Sequence, residues 1–461
     1  MSFMEYKRED SYQDKISDFD DDCHNIDMKN DIELTSINES LLIRLNSLFE
    51  SFDNENPKDS SQILSNALDI ISKNPTVITD FIKSENIIDL VILCKRKGSR
   101  KNVFRFISCI IRNGDSLVPD IVDSPIIFYL SHSIKKQITK DLKYYALELI
   151  ILLSTHPDIS AQKMYEAGIF HALEANIIEE NELTEISLQI ISNATNIRDF
   201  NPGICENIIS PLMDIVNFSE NTVFITKSLR ILTNVIANSI NISNQIKETN
   251  LLETLAMHAT SEDHYLQIAV FQFLGHLCPY GNDMYEEISR YNIFYESKKV
   301  LLDEYQKQNT ENYSIVMISV ISFFRCWCDN ENGNYLNSLY SFLVQIPFGN
   351  LYDTSAFDVK YEIMKLFLIL SYNANAEIMI KIIAPDLIED ILSTFHSASP
   401  QFIHDSVFLL YNFAQKLSIS FPSYAEKFNN IWSEFFENEI DYFIKIPPEN
   451  FADEVLDHML Q

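Results

Sequence analysis

Apolar residues along this chain recur at spacings of three and four positions, the pattern of a helix with one buried stripe. The strongest stretches are about a dozen residues long, such as ALELIILLST around Leu152 and VFQFLGHLCP around His276. A break and shorter helical stretches follow each of them, as in AQKMYEAGIFHALEANI after Leu152. The 8 Gly and 14 Pro are too few for the turns of an all-β protein, so the pattern predicts an all-α chain.

The long helical stretches form an internal repeat, because one position in each can be matched to the next. Successive matched positions are 40 to 49 residues apart, and the first five intervals are 40 to 42 residues. The longer interval before Arg325 predicts loop insertions near residues 307–312 and 347–354. The nine matched positions are Ile70, Ile110, Leu152, Asn193, Asn234, His276, Arg325, Ile369 and Asn412.

A helical unit of about 42 residues cannot bury its own apolar stripe, so the units must stack on one another. Stacking produces one continuous core in which each repeat contacts mainly its neighbours. The long helices are apolar around much of their circumference, as helices between two neighbouring repeats must be. We expect these long helices to line a concave groove.

The period, the long-helix pattern and the EAGIF turn at Glu166–Phe170 resemble the armadillo repeat of importin-alpha and beta-catenin. The resemblance covers roughly residues 38–436 and implies a right-handed α-α superhelix of about nine repeats. The glycine that usually separates the first two helices of a repeat is clear only at Gly168. HEAT repeats are the near alternative and share the fold class.

The ends of the chain differ in composition from the middle. Residues 1–37 contain many acids, including the run Asp18–Asp22, and few apolar residues, so we expect a disordered acidic tail. The repeat region then covers residues 38–445. We expect residues 446–461 to be a short acidic tail that begins with IPPEN, whose two prolines end the preceding helix.

Composition limits the location and the class of partner. The 35 basic and 66 acidic residues give a net charge of −31, which repels nucleic acid and anionic membranes. We therefore expect a protein partner with basic or neutral segments. The absence of an apolar leader and the seven irregularly spaced cysteines favour the cytoplasm or the nucleus.

Candidate binding residues follow from both the resemblance and the polar pattern. In armadillo proteins, an Asn on the third helix bonds the backbone of an extended peptide, and the resemblance places that Asn at Asn193, Asn234 and Asn412. The Trp that importin-alpha carries four residues earlier is missing, and Phe408 is the one aromatic residue at that spacing. Without the resemblance, three successive helices carry polar pairs four residues apart, which share one helix face. The alternative is that these are ordinary solvent-facing positions. The pairs are Gln189 and Asn193, Arg230 and Asn234, and Gln272 and His276.

A basic island interrupts the acidic chain and is a candidate site for an acidic segment, such as the Asp18–Asp22 run. The alternative is an ordinary solvated loop. Its first residues are Lys95, Arg96, Lys97, Arg100, Lys101 and Arg105, and Lys135, Lys136, Lys140 and Lys143 follow one repeat later.

Metal and enzyme chemistry find little support in the sequence. Cys326 and Cys328 lack the second ligand pair that zinc sites use, so core packing is the better interpretation. Glycine-rich phosphate loops and nucleophile motifs are missing, which predicts no enzyme, no metal and no cofactor. We expect a non-catalytic scaffold or adaptor that holds an extended partner segment. The alternatives are an importin-alpha-like nuclear import adaptor and a chaperone nucleotide-exchange regulator.

Overall fold

A computed structural model describes most of the chain between residues 57 and 431. The described residues are 57–73, 90–95, 98–135, 138–179, 183–197, 202–236, 242–307, 313–330, 333–383, 385–395, 398–428 and 430–431, with Ser40, Ile43 and Ser47. Their secondary structure is helical throughout, which confirms the all-α prediction. The two acidic tails predicted at residues 1–37 and 446–461 lie outside the described residues.

Nine described helices of 12 to 21 residues contain or directly precede the matched positions and are called here the long helices, and the other described α-helices, called the shorter ones, have 6 to 14 residues. The long helices are α1 (Pro57–Lys73), α2 (Arg100–Asn113), α5 (Lys140–Ser154), α8 (Thr184–Thr195), α10 (Thr222–Ile236), α13 (His264–Gly275), α16 (Tyr313–Cys328), α19 (Phe357–Asn373) and α22 (Pro400–Ser420). The shorter ones are α3 (Val118–Asp123), α4 (Ile126–Ser133), α6 (Pro157–Glu166), α7 (Ile169–Ile178), α9 (Glu206–Phe218), α11 (Ile242–Glu248), α12 (Leu251–His258), α14 (Gly281–Arg290), α15 (Ile293–Gln306), α17 (Leu336–Leu343), α18 (Phe348–Thr354), α20 (Ala376–Ile382) and α21 (Pro385–Thr394).

Two shorter helices precede each of α5, α8, α13, α16, α19 and α22, so each of these is the third helix of its repeat, and α1, α2 and α10 are assigned as third helices by their matched positions. Eight of the nine matched positions lie inside a third helix, and His276 follows the last residue of α13 directly. Asn193 donates to the Ser154 hydroxyl at 3.0 Å, and Asn412 donates to the Ser371 hydroxyl at 3.2 Å. This shared contact with the preceding third helix confirms the matched register.

Local sequence explains where several of these helices begin. The Asp263 carboxylate accepts bonds from the first backbone N–H groups of α13, and Ser399 does the same for α22. Asn375 caps α20 in the same way. Proline stands in the first turn of α6, where the missing N–H costs no helical hydrogen bond.

Two of the described turns between the first two helices of a repeat contain a left-handed residue. Gly168 has φ 74° between α6 and α7, as the EAGIF segment predicts. Asn292 takes the same role between α14 and α15 with φ 57°. Asparagine is among the few residues other than glycine that adopt this conformation readily, so the glycine pattern alone misses this turn.

The described chain divides into two compact units, residues 1–212 and 213–461, and the boundary falls inside α9. In the first unit α1 packs on α2, α2 on α5, and α5 on α8. In the second unit α10, α13, α16, α19 and α22 pack in the same consecutive way. Third helices therefore stack side by side within each unit, as a repeat core requires.

Aromatic residues of α16 fill the core of the second unit. Phe323, Phe324 and Trp327 are fully buried, and burial of each such side chain contributes about 1.5–3 kcal/mol. The Trp327 indole donates to the Leu274 carbonyl of α13 at 3.1 Å. Cys326 and Cys328, on either side, are buried free thiols, in agreement with core packing.

The structure tests one of the two predicted loop insertions. Residues 348–354 form α18 rather than a loop, so the loop predicted at 347–354 is wrong. Residues 308–312 lie outside the described residues. Much of the added length lies in α15 and α16, which have 14 and 16 residues.

Candidate functional site

The third helices of each unit present half-buried and exposed side chains on one side, called here the third-helix face. In the second unit, α10 and α13 are packing neighbours, so the pair Arg230 and Asn234 lies on a helix next to that of Gln272 and His276. Gln272 is exposed, and the other three are half-buried. The structure thus brings two of the three predicted polar pairs onto neighbouring helices.

The third predicted pair, Gln189 and Asn193, belongs to the first unit. Gln189 donates to the Asn193 side-chain oxygen at 2.8 Å, and Asn193 donates in turn to Ser154. These bonds fix the orientation of the Asn193 amide. An amide held in this way loses little entropy when a backbone group binds to it.

Phe408 and Asn412 lie on α22, the last third helix described. Both are half-buried, and the Phe408 ring stands 4.7 Å from the His404 ring. Asn412 bonds to Ser371 on the neighbouring α19. An aromatic surface and a fixed amide therefore occupy one face of α22, one turn apart.

An ionic network that was not predicted from the sequence connects α16 and α19. Arg325 Nε donates to the Glu362 carboxylate at 2.7 Å, and Lys365 Nζ lies 3.6 Å from its other oxygen. The Glu362 side chain is only 2% exposed. Burial is the largest influence on Lys365 and lowers the pKa of its ammonium group. A Glu within the apolar run of α19 was the only hint in the sequence.

The network continues toward α22 through Tyr361. Lys365 Nζ lies 4.1 Å from the centre of the Tyr361 ring, a cation–π contact. The Tyr361 hydroxyl donates to the Asp405 carboxylate at 3.3 Å, and Gln401 also donates to it. Three consecutive third helices are therefore connected by charged and polar groups on the face that also carries Asn412.

The basic island divides into buried and surface residues. Arg100 is buried, donates to the Cys94 carbonyl at 2.7 Å and stacks on Tyr129, so it belongs to the packing of α2 rather than to the surface. Lys101 pairs with Asp141 at 2.9 Å. Lys95, Arg105, Lys135 and Lys140 are exposed, whereas Arg96, Lys97 and Lys136 lie outside the described residues.

A shallow depression of about 370 Å³ opens beside these cations. Gly98, Lys101 and Leu142 line it with Thr139, Lys140 and Asp141. Within the described part of the chain, no group of three or more His, Cys, Asp or Glu side chains could hold a metal ion. No described helix combines the length and apolarity that a membrane span requires.

Comparison with solved structures identifies similar folds at low sequence identity. An engineered protein from the Northeast Structural Genomics Consortium aligns with a TM-score of 0.64 at 14% identity, over 91% of this chain and 99% of that one. A designed armadillo repeat protein in complex with the peptide (KR)4 aligns with a TM-score of 0.44 at 13% identity, over 52% of this chain and 98% of that one. A computationally designed armadillo repeat protein for modular peptide recognition gives the same values. No protein-family model and no curated protein matches the sequence.

The repeat order and the stacked third helices establish the fold class. The chain has an all-α repeat fold of the armadillo type. The match with a TM-score of 0.64 at 14% identity shows a shared fold and does not transfer a ligand.

Proposed function

We propose that this chain is a non-catalytic scaffold that holds an extended segment of a partner protein on the third-helix face. The observation that carries the proposal is the repetition of polar pairs on neighbouring third helices, Arg230 with Asn234 and Gln272 with His276. Side-chain amides at such positions can bond the backbone of an extended peptide. On α22 of the same unit, the aromatic ring of Phe408 supplies apolar contact area for the partner segment.

Helix spacing supports an extended rather than a helical ligand. Packed helices are about 8–10 Å apart, and an extended chain advances about 3.3 Å per residue. About three peptide residues therefore correspond to one repeat of the scaffold. A partner segment that crosses several third helices gains contacts in proportion to its length.

Photo-crosslinking tests the proposal directly. Benzoylphenylalanine replaces Gln272 or Tyr372, which are exposed on third helices, or Glu253 or Glu286, which are exposed on short helices. We expect the two third-helix positions to crosslink, in extract, to one segment of a single protein. Crosslinks that arise only from the two short-helix positions would contradict the proposal.

A further inference from the structure

The charge of this chain is distributed unevenly between its helix types. In the first unit, the third helices carry eight basic and five acidic residues. The short helical elements of that unit carry one basic and six acidic residues. The net charge of −31 therefore does not describe the third-helix face.

The second unit repeats this separation. Its third helices carry six basic and three acidic residues. Its short helices carry five basic and thirteen acidic residues. Both units therefore have net positive third helices and net negative short helices.

In the first unit α2 and α5, which pack together, carry the exposed cations Arg105, Arg112 and Lys140 and the half-buried Lys101. Lys101 and Arg105 both stand over the Tyr145 ring, at 5.2 and 5.3 Å from its centre. Arg112 pairs with Glu148 of α5 at 2.6 Å. The tyrosine thus holds two cations one helical turn apart, and Tyr144, which is 53% exposed, lies beside them.

We infer that the third-helix face selects an acidic extended segment, and that Lys101, Arg105 and Lys140 form its contact surface in the first unit. This inference rests on the proposed function and narrows its class of partner. Guanidinium and ammonium groups bind carboxylates through charge-assisted hydrogen bonds. A carboxylate every third residue of an extended peptide matches the spacing of neighbouring third helices. This inference differs from the expectation of a basic or neutral partner segment, which followed from the total charge of −31.

Fluorescence anisotropy with labelled peptides tests the inference on the full-length chain. The acidic probe is DKISDFDDD, the sequence of residues 14–22. The neutral probe is the same peptide with every Asp changed to Asn and the Lys changed to Gln, and (KR)4 is the basic probe. We expect the acidic probe to bind about tenfold tighter than the neutral one at low salt, and to lose this advantage as salt screens the charges.

Charge-reversal variants test whether the acidic probe binds at the proposed contact surface. Arg105→Glu with Lys140→Glu should weaken binding of the acidic probe about tenfold, because attraction becomes repulsion. Lys140→Glu alone, at an exposed helix start, keeps the test valid if the double variant fails to fold. Lys163→Glu is the matched control for the single variant Lys140→Glu, since it makes the same change of two charge units on short helix α6 of the same unit. It should change the affinity by less than about twofold.

The chain's own acidic run could compete with the probe, so a second protein removes it. Asp18, Asp20, Asp21 and Asp22 are changed to Asn in the full-length chain. If neither protein prefers the acidic probe to the neutral one, the inference is wrong. Tighter binding of (KR)4 would also overturn it. The proposed function would survive either result provided that crosslinks still arise from the third-helix face.

Discussion

The buried carboxylate of Glu362 offers a sharp test of the structure of the second unit. Its side chain is 2% exposed, whereas Arg325 and Lys365, its two cationic neighbours, are 19% and 20% exposed. Replacement Glu362→Ala leaves two largely buried cations without their counter-charge. Removal of one partner from a buried ion pair costs about 3–5 kcal/mol, so we expect a loss of that size in the free energy of unfolding.

Two further variants separate charge from shape. Glu362→Gln keeps an acceptor for Arg325 Nε and loses only the charge, so its cost should be smaller, about 1.5–3 kcal/mol. The triple variant Arg325→Met, Glu362→Leu and Lys365→Met removes all three charges of the network and fills the space with apolar groups. Its stability should lie within about 1 kcal/mol of the wild type, or above it.

Urea unfolding followed by tryptophan fluorescence measures these differences in the free energy of unfolding, with a probe close to the ionic network. Trp327 lies on α16, two residues from Arg325, and Trp432→Phe removes the other tryptophan of the chain. All variants are compared in that background. A cost for Glu362→Ala below about 1 kcal/mol would refute the reasoning, because a surface ion pair behaves that way.

Three further predictions concern local features. Gly168→Ala should lower stability by about 1 kcal/mol, because φ is +74° there, while Asn292→Gly, the matched control, should be nearly neutral in thermal melts. Burial raises the pKa of Cys94 to about 12 and of Cys326 to about 11. Iodoacetamide at pH 8 should therefore alkylate neither thiol until urea unfolds the chain. Rapid labelling of either thiol in the native protein would contradict their burial. Burial also raises the pKa of Tyr352, so stability should fall as pH rises above about 10, and Tyr352→Phe should reduce that fall.

The helical repeat could be predicted because its cause is local. Each third helix carries its own apolar stripe, so periodicity alone finds all nine, including α1 around Ile70 and α22 around Asn412. Helix boundaries that depend on the conformation of a turn were harder to predict from the sequence. Asn292 replaces the expected glycine, and residues 348–354 fold as a helix where interval length suggested a loop.

Contacts between repeats could not be predicted from local pattern. Arg325 and Glu362 are 37 residues apart, and only the stacking of α16 on α19 brings them to 2.7 Å. Total charge does not show how acidic and basic residues are divided between the helix types. The sign of the third-helix face emerges only when residues are counted by helix type, which requires the repeat assignment first.

Hydrogen–deuterium exchange tests most directly whether the third-helix face is the binding surface. The chain is compared alone and with the partner segment that photo-crosslinking identifies. Slower exchange should appear in third helices of the unit that binds, such as Thr222–Ile236 and His264–Gly275, and not in the short helices between them. Protection confined to short helices, such as Leu251–His258 and Gly281–Arg290, would contradict the account.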